Sequence, residues 1–361
     1  RLRDRMGRLL GHRGFAPLGY LLLARSYDAT AVSRFREEIK EFVVPVAVEL
    51  AKVRARRLGL DRLLFHDEAV CDPEGNPRPL GGPDYVVEQI GRMCSDLDPE
   101  LAELFSLLVE HDLLDLEVRP GKAGGGFCAH FPDSGLPFIF ANCNGSEADV
   151  RVLAHELGHA FQIWQSRSQP WLEFRLPTLE ACEIHSLTME YLAEPYAGYF
   201  FSPADAERYS RLRLEQVVQF LPYMAAVDHF QHEVYASPAL SPAERNSLWR
   251  QLEREYLPWR DYGGLLPHFE AGALWQRQLH VYSMPFYYLD YALAETVALQ
   301  LWTRARADRA GAMRDYLAIC RLGGSRSFPD LLEQVALRSP FQRGCLATVV
   351  DEVRRTLGLG E

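Results

Sequence analysis

Five residues, His155-Glu156-Leu157-Gly158-His159, constrain this chain more than any other stretch, because they lie in the middle of an amphipathic run. At about 100° per residue, helical positions i and i+4 return to one face about 6 Å apart along the axis, so a helix here aims two imidazoles at one point. Ser146 and Asp149 form a capping pair of the S-x-x-[DE] type just upstream, which predicts a helix from about Glu147 through Gln165. Neutral imidazoles suit a four-coordinate Zn²⁺ that keeps one position open for water. Glu156, beside them, is a carboxylate able to take the proton of such a water as it attacks a carbonyl. With 11 histidines in 361 residues, a match of this kind arises by chance in roughly 3% of such chains, so the motif needs a third ligand to carry weight.

The next predicted helix, from about Thr178 to Leu192, supplies Glu180, Glu183, His185 and Glu190. Glu180 and Glu183 are three apart and share a face, while His185 lies about 200° round from Glu183. Either glutamate could bind the metal and leave the other to accept a hydrogen bond from a ligand imidazole. Spacing alone does not choose. His229 and His232 are also three apart on a helical stretch, but with no acidic partner set they read as structural or surface residues. Lys122 and the run Gly124-Gly125-Gly126 lack the spacing of a phosphate loop, and these glycines read instead as room for a loop to approach another backbone.

Most of the remaining sequence has helical periodicity. Val32 to Leu60 predicts a long helix kinked at Pro45. Pro83 to Glu117 predicts helix in two pieces around Asp96 to Pro99, and Ser202-Pro203 opens a long amphipathic stretch to Tyr235. The segments Asp72–Pro83 and Asp261–Pro267 read as loops. Between Gly121 and Gly145 the character changes to glycines, aromatics and short apolar runs, which predicts two short strands in a hairpin-like arrangement.

A chain with 48% hydrophobic and 24% charged residues can bury a large core. Its net charge of −10 argues against a nucleic-acid partner. No apolar run approaches the ~20 residues that span a bilayer, so no membrane partner is expected. The opening RLRDRMGRLLGHRGF lacks the apolar stretch of a secretory signal, which makes the cytoplasm the default location. Arg1 in place of Met leaves room for a fragment. Seven cysteines without a CxxC pair read as reduced thiols.

His280 to Trp302 packs Tyr282, Tyr287, Tyr288 and Tyr291 into one stretch with a histidine. Such a stripe is ordinarily core, yet Tyr hydroxyls and His N–H groups can also stabilise an oxyanion. Three segments taken together, HELGHAFQ, PTLEACEIHSLTMEYL and QRQLHVYSMPFYYLDYALA, resemble the oligoendopeptidase F and thimet oligopeptidase family of gluzincin-type zinc peptidases. The resemblance is strong from Gly121 to Trp302 and weaker over DATAVSRFREEIKEFVVP.

The resemblance implies a mainly α fold: a zincin-like catalytic core with a small β-sheet beside the HExxH helix, in a bilobal helical architecture around a substrate channel. Residues 1–120 would be a helical N-terminal part, shorter than the family's, and residues 121–361 the catalytic region with a helical C-terminal part. The family's E-x-x-S-x-x-x-E pattern matches Glu183 to Glu190 and selects Glu183 as the third ligand of one Zn²⁺ with His155 and His159, leaving Glu180 and Glu190 as supporting acids. FIFAN (Phe138 to Asn142) is implied to be the edge strand along which substrate lies, with Phe140, Ala141 and Asn142 in contact. His280, Tyr288 and Tyr291 are implied to grip substrate and steady the oxyanion, with Tyr287 also at the substrate. The implied activity is endopeptidase cleavage of short oligopeptides, with Glu156 as base on a zinc-bound water. The alternatives are a carboxypeptidase or aminopeptidase using the same ligands, or a non-catalytic peptide-binding protein of the same fold.

Overall fold

The structure is a computed structural model and describes residues 1–360. It is mainly helical, with one three-stranded sheet. The contacts divide it into two compact units, each discontinuous in sequence. One comprises Arg1–Gly75, Leu214–Thr296 and the chain from Ser339 onward; the other comprises Asn76–Arg213 and Val297–Arg338. A division at residue 120 follows composition, whereas packing draws residues 76–120 into the same unit as 121–213.

That second unit is built on the sheet. Helices Pro83–Leu97 and Pro99–Glu110 each begin with proline, and Asp98 between them accepts from the backbone N–H groups of Glu100 and Leu101 at 2.9 and 3.2 Å. The chain then leaves the helical path at Asp112, whose φ of 55° is left-handed, and forms strand β1, Leu114–Glu117. Helix was expected as far as Glu117; β1 is too short and too charged to show a strand pattern. Strands β2 (Phe127–Phe131) and β3 (Leu136–Cys143) form the expected antiparallel hairpin, with Phe127 opposite Phe140 and Phe131 opposite Leu136.

The strand order is β1-β3-β2, and β1 runs parallel to β3. FIFAN is therefore the central strand, not an edge, because the unforeseen β1 occupies its second side. The carbonyl of Ala141 accepts from the buried ammonium of Lys122 at 2.6 Å, and the Asn142 side chain donates to the carbonyls of Ala123 and Gly125 at 3.0 and 2.8 Å. The Ala141 carbonyl and the Asn142 side-chain amide thus spend their polarity inside the protein. Alternate β3 residues, Ile139, Ala141 and Cys143, are buried.

Glu147–Gln165 is a helix with the expected bounds. Its start differs in detail: the Ser146 hydroxyl makes no cap bond, and Asp149 instead accepts from the N–H groups of Asn144 and Gly145 at 2.9 and 2.6 Å. Helix Leu179–Ala193 crosses it at very close range. A Cβ on Gly158 would stand 2.6 Å from the carbonyl oxygen of His185 and 2.7 Å from Cα of Ser186, so only glycine lets the two backbones meet there. The carbonyl of His185 accepts from Tyr316 at 3.0 Å, and its Nδ1 lies 3.4 Å from Cys320.

In the first unit, the predicted kink is a π-helical turn, Ile39–Val43, between helices Ala29–Glu38 and Val44–Arg57. Pro45 has no N–H to donate, and one wider turn absorbs the lost bond. Buried ion pairs join Arg25 to Asp290 at 2.5 Å, Arg36 to Asp228 at 2.7 Å and Arg54 to Glu215 at 3.1 Å. His232 belongs to this network, 3.0 Å from the Tyr20 hydroxyl and 3.2 Å from Asp228, while His229 lies 3.2 Å from the hydroxyl of Tyr256. Both histidines are structural. Among the described residues no helix is long and apolar enough to cross a membrane.

Candidate metal centre

The close approach at Gly158 brings three side chains to one point. Nε2 of His155 lies 3.3 Å and Nε2 of His159 lies 3.6 Å from Oε2 of Glu183, and the ligand atoms of all three fall within 4.8 Å of one another. The two imidazole planes are turned 83° apart, so their Nε2 lone pairs converge from different directions. Among the described residues this is the group of histidines, cysteines and acids whose donor atoms could share one ion. Two nitrogens and one carboxylate oxygen match the donor set of a catalytic zinc site.

Glu190, one helical repeat beyond Glu183, places Oε1 2.8 Å from Nδ1 of His155. An imidazole that donates through Nδ1 keeps Nε2 free as a ligand. Spacing left Glu180 and Glu183 interchangeable between ligand and support; Glu180 is buried at 1% exposure one turn earlier on the same helix. Ser186 donates to Glu183 Oε2 at 2.9 Å and helps hold it.

Burial alone would disfavour a charge on His155, but hydrogen bonds to Glu183 and Glu190 outweigh it and lift its pKa to about 10. Burial draws His159 down to about 4. Positive charge is therefore favoured where His155 meets Glu183. A divalent ion supplies that charge with both imidazoles neutral, which is the sense in which these residues fit zinc.

Glu156 points from the same helix turn and is 6% exposed. Burial pushes its carboxyl up to about 7, opposed by His155 and reinforced by Glu183 and Glu190. Its Oε2 is buried with no hydrogen-bond partner among the described residues, which is costly for a carboxylate unless water or substrate meets it. A Cβ on Gly126 would come within 3.0 Å of Glu156 Oε1, so the last glycine of GKAGGG closely approaches a carboxylate, where the run was expected to approach another backbone.

His280, Tyr287, Tyr288 and Tyr291 all lie in the first unit and form one cluster: the His280 ring is 5.7, 5.0 and 6.2 Å from those three tyrosine rings. Tyr288 is buried against Phe220 and Tyr223, and burial raises its phenol well above the ordinary value. The three tyrosines follow Phe286, a buried non-glycine residue at φ 71° whose N–H donates to Gln231 at 2.9 Å and whose carbonyl accepts from Arg25 at 2.8 Å.

The sequence profile described as Peptidase family M3 matches residues 102–350, well over half the chain, and the match contains every residue of the metal cluster. The chain belongs to peptidase family M3.

One solved structure, provisionally described as an oligoendopeptidase F, is 46% identical, with a TM-score of 0.96 over 99% of this chain and 63% of its own. PZ peptidase A, solved with an inhibitor, is 43% identical at the same TM-score and coverage. A curated relative, an oligoendopeptidase F homolog of Borreliella burgdorferi, is 24% identical over 61% of this chain and 37% of its own length. The chain thus spans less than two thirds of the length of these relatives. Their likeness fits the mainly helical architecture with its small sheet. Two residues at the site had no readable signal in the sequence. Arg213, 2.9 Å from Glu190 Oε2, sits on a different helix among other charged residues, and Gly126 is one of three adjacent glycines.

Proposed function

We propose that this chain is the metal-bearing part of a zinc metallopeptidase that cleaves internal bonds of short peptides. The observation that carries the proposal is the convergence of His155, His159 and Glu183 beside a buried glutamate with an unpartnered oxygen. In this reading, His155 and His159 through Nε2 and Glu183 through Oε2 hold the ion, which supplies Lewis acidity and a lowered pKa for water when bound. Glu156 accepts the proton of the attacking water at Oε2 and passes it on towards the leaving amine. A base held near neutrality by burial suits both transfers. Glu190 fixes the ring of His155.

Substrate main chain is assigned to the outer strand β2 instead of β3. Strand β2 begins one residue after Gly126, which backs Glu156, and it leaves one side without a strand partner in the sheet. An extended peptide added there by backbone hydrogen bonds would run past the base. His280, Tyr288 and Tyr291 are assigned to the developing oxyanion and Tyr287 to substrate contact, a role supported by the family resemblance and by their shared cluster.

Replacing Glu156 by Gln tests the base. The variant should keep its zinc and lose about 10²–10⁴-fold in kcat on an internally quenched peptide blocked at both ends. Undiminished turnover would reject Glu156 as the base. A wild-type chain that trims free-ended peptides but leaves the blocked one whole would point to an exopeptidase, and one that binds peptide without any cleavage to a peptide-binding protein.

A further inference from the structure

We propose that Arg213 is a positioning residue for the metal centre, acting on His155 through Glu190. The inference rests on reading His155, His159 and Glu183 as metal ligands. Glu190 has two oxygens with two different tasks. Its Oε1 is 2.8 Å from Nδ1 of His155, and its Oε2 is 2.9 Å from Nε of Arg213. Both side chains are nearly sealed from solvent, at 2% exposure for Glu190 and 10% for Arg213.

A glutamate side chain has three rotatable torsions, so a hydrogen bond at one oxygen does not by itself fix where the other points. Arg213 takes up that freedom. Its guanidinium lies over the ring of Tyr191, 4.6 Å from the centroid, and Tyr191 directly follows Glu190 in the chain. The aromatic ring and the 2.9 Å ion pair together hold the guanidinium in place beside Oε2. With Oε2 held, Oε1 is left facing Nδ1–H, and the His155 ring is kept in the tautomer and rotation that turn Nε2 towards Glu183 and His159. The result is a relay of fixed orientations from helix Pro203–Ala236, through Leu179–Ala193, to Glu147–Gln165. Loss of a supporting group of this kind typically costs about 10–100-fold in metal affinity.

The test is the zinc dissociation constant of the whole chain, measured by competition with a chromophoric chelator for wild type, Arg213→Met, Arg213→Lys, Glu190→Gln and the Arg213→Met/Glu190→Gln double variant. Circular dichroism of each zinc-free protein checks folding separately. The expected result is a loss of about 10–100-fold in zinc affinity for Arg213→Met. Arg213→Lys should recover part of it, and Arg213→Met should add little once Glu190 is already Gln. Wild-type affinity in Arg213→Met, or full additivity with Glu190→Gln, would overturn the inference. If Arg213→Met does not fold, the Co²⁺-loaded Arg213→Lys variant decides: shifted visible bands support a reoriented ligand, and an unshifted spectrum rejects it. A wild-type chain that binds no zinc would remove the metal reading itself, whereas zinc binding indifferent to Arg213 would remove this inference alone.

Discussion

In the proposed mechanism Glu156 has to remain close to the metal-holding side chains yet free to exchange a proton, and the single hydrogen atom that is the side chain of Gly126 makes room for that. Gly126 has an ordinary backbone, so Gly126→Ala is not strained by φ. Its methyl group would press on Glu156 Oε1 at 3.0 Å and on Val152 at 3.3 Å. The expected outcome is a folded protein with wild-type zinc content and kcat lowered by about tenfold, because a displacement of a few tenths of an ångström moves a proton-transfer distance. Unchanged steady-state kinetics on the quenched peptide would show that the contact does not matter. At this scale the sequence was informative wherever chemistry and spacing coincide, as in His155, Glu156 and His159. It left Glu180 and Glu183 tied, since two glutamates three apart look alike until a partner helix is placed. Arg213 was silent for the same reason, because its meaning lies in Glu190, 23 residues away.

Among elements, the decisive contact is the crossing of the Glu147–Gln165 and Leu179–Ala193 helices. Alanine is worth about 0.5–1 kcal/mol more than glycine in a helix interior. At Gly158 a methyl group would meet backbone atoms at 2.6 and 2.7 Å, and overpacking of that kind costs about 1–3 kcal/mol. Gly158→Ala should therefore melt at a lower temperature than wild type and bind zinc more weakly, since Glu183 rides on the displaced helix. A raised melting temperature with intact zinc affinity would show the crossing to be looser than described. Most helix extents were legible from hydrophobic period, as for Glu147–Gln165 and Leu179–Ala193. Strand β1 was not, because four residues with two acids carry no strand signature, and that omission is what made FIFAN look like an edge. The kink at Pro45 was foreseen, but not its form, because a proline fixes which bond is lost and not how the neighbouring turns redistribute the slack.

For the whole molecule, stability should depend on the buried ion pairs of the first unit. Burial alone would raise the carboxyl pKa of Asp228, but His232, Arg36 and Arg25 outweigh it and hold it well below the ordinary range. A group depressed on folding stabilises the native state above its unfolded value, about 3.9 for aspartate, and that contribution is lost as pH falls through the folded value. Chemical denaturation should accordingly show stability falling below about pH 4. Asp228→Asn, which leaves Arg36 buried without its counter-charge, should lose about 3–5 kcal/mol at neutral pH and show a flatter acid limb. A variant as stable as wild type across this range would refute that role. The division of the chain into two discontinuous units was invisible in sequence, since composition changes at residue 121 while packing partners are set by distant segments.

The central claim is that one helix turn and one later glutamate hold a single divalent ion. Elemental analysis of wild type, Glu156→Gln and Glu183→Ala after exhaustive dialysis against dilute zinc tests it most directly. The account predicts one zinc per chain in the first two and little in the third; a full equivalent retained by Glu183→Ala, or none in wild type, would contradict it.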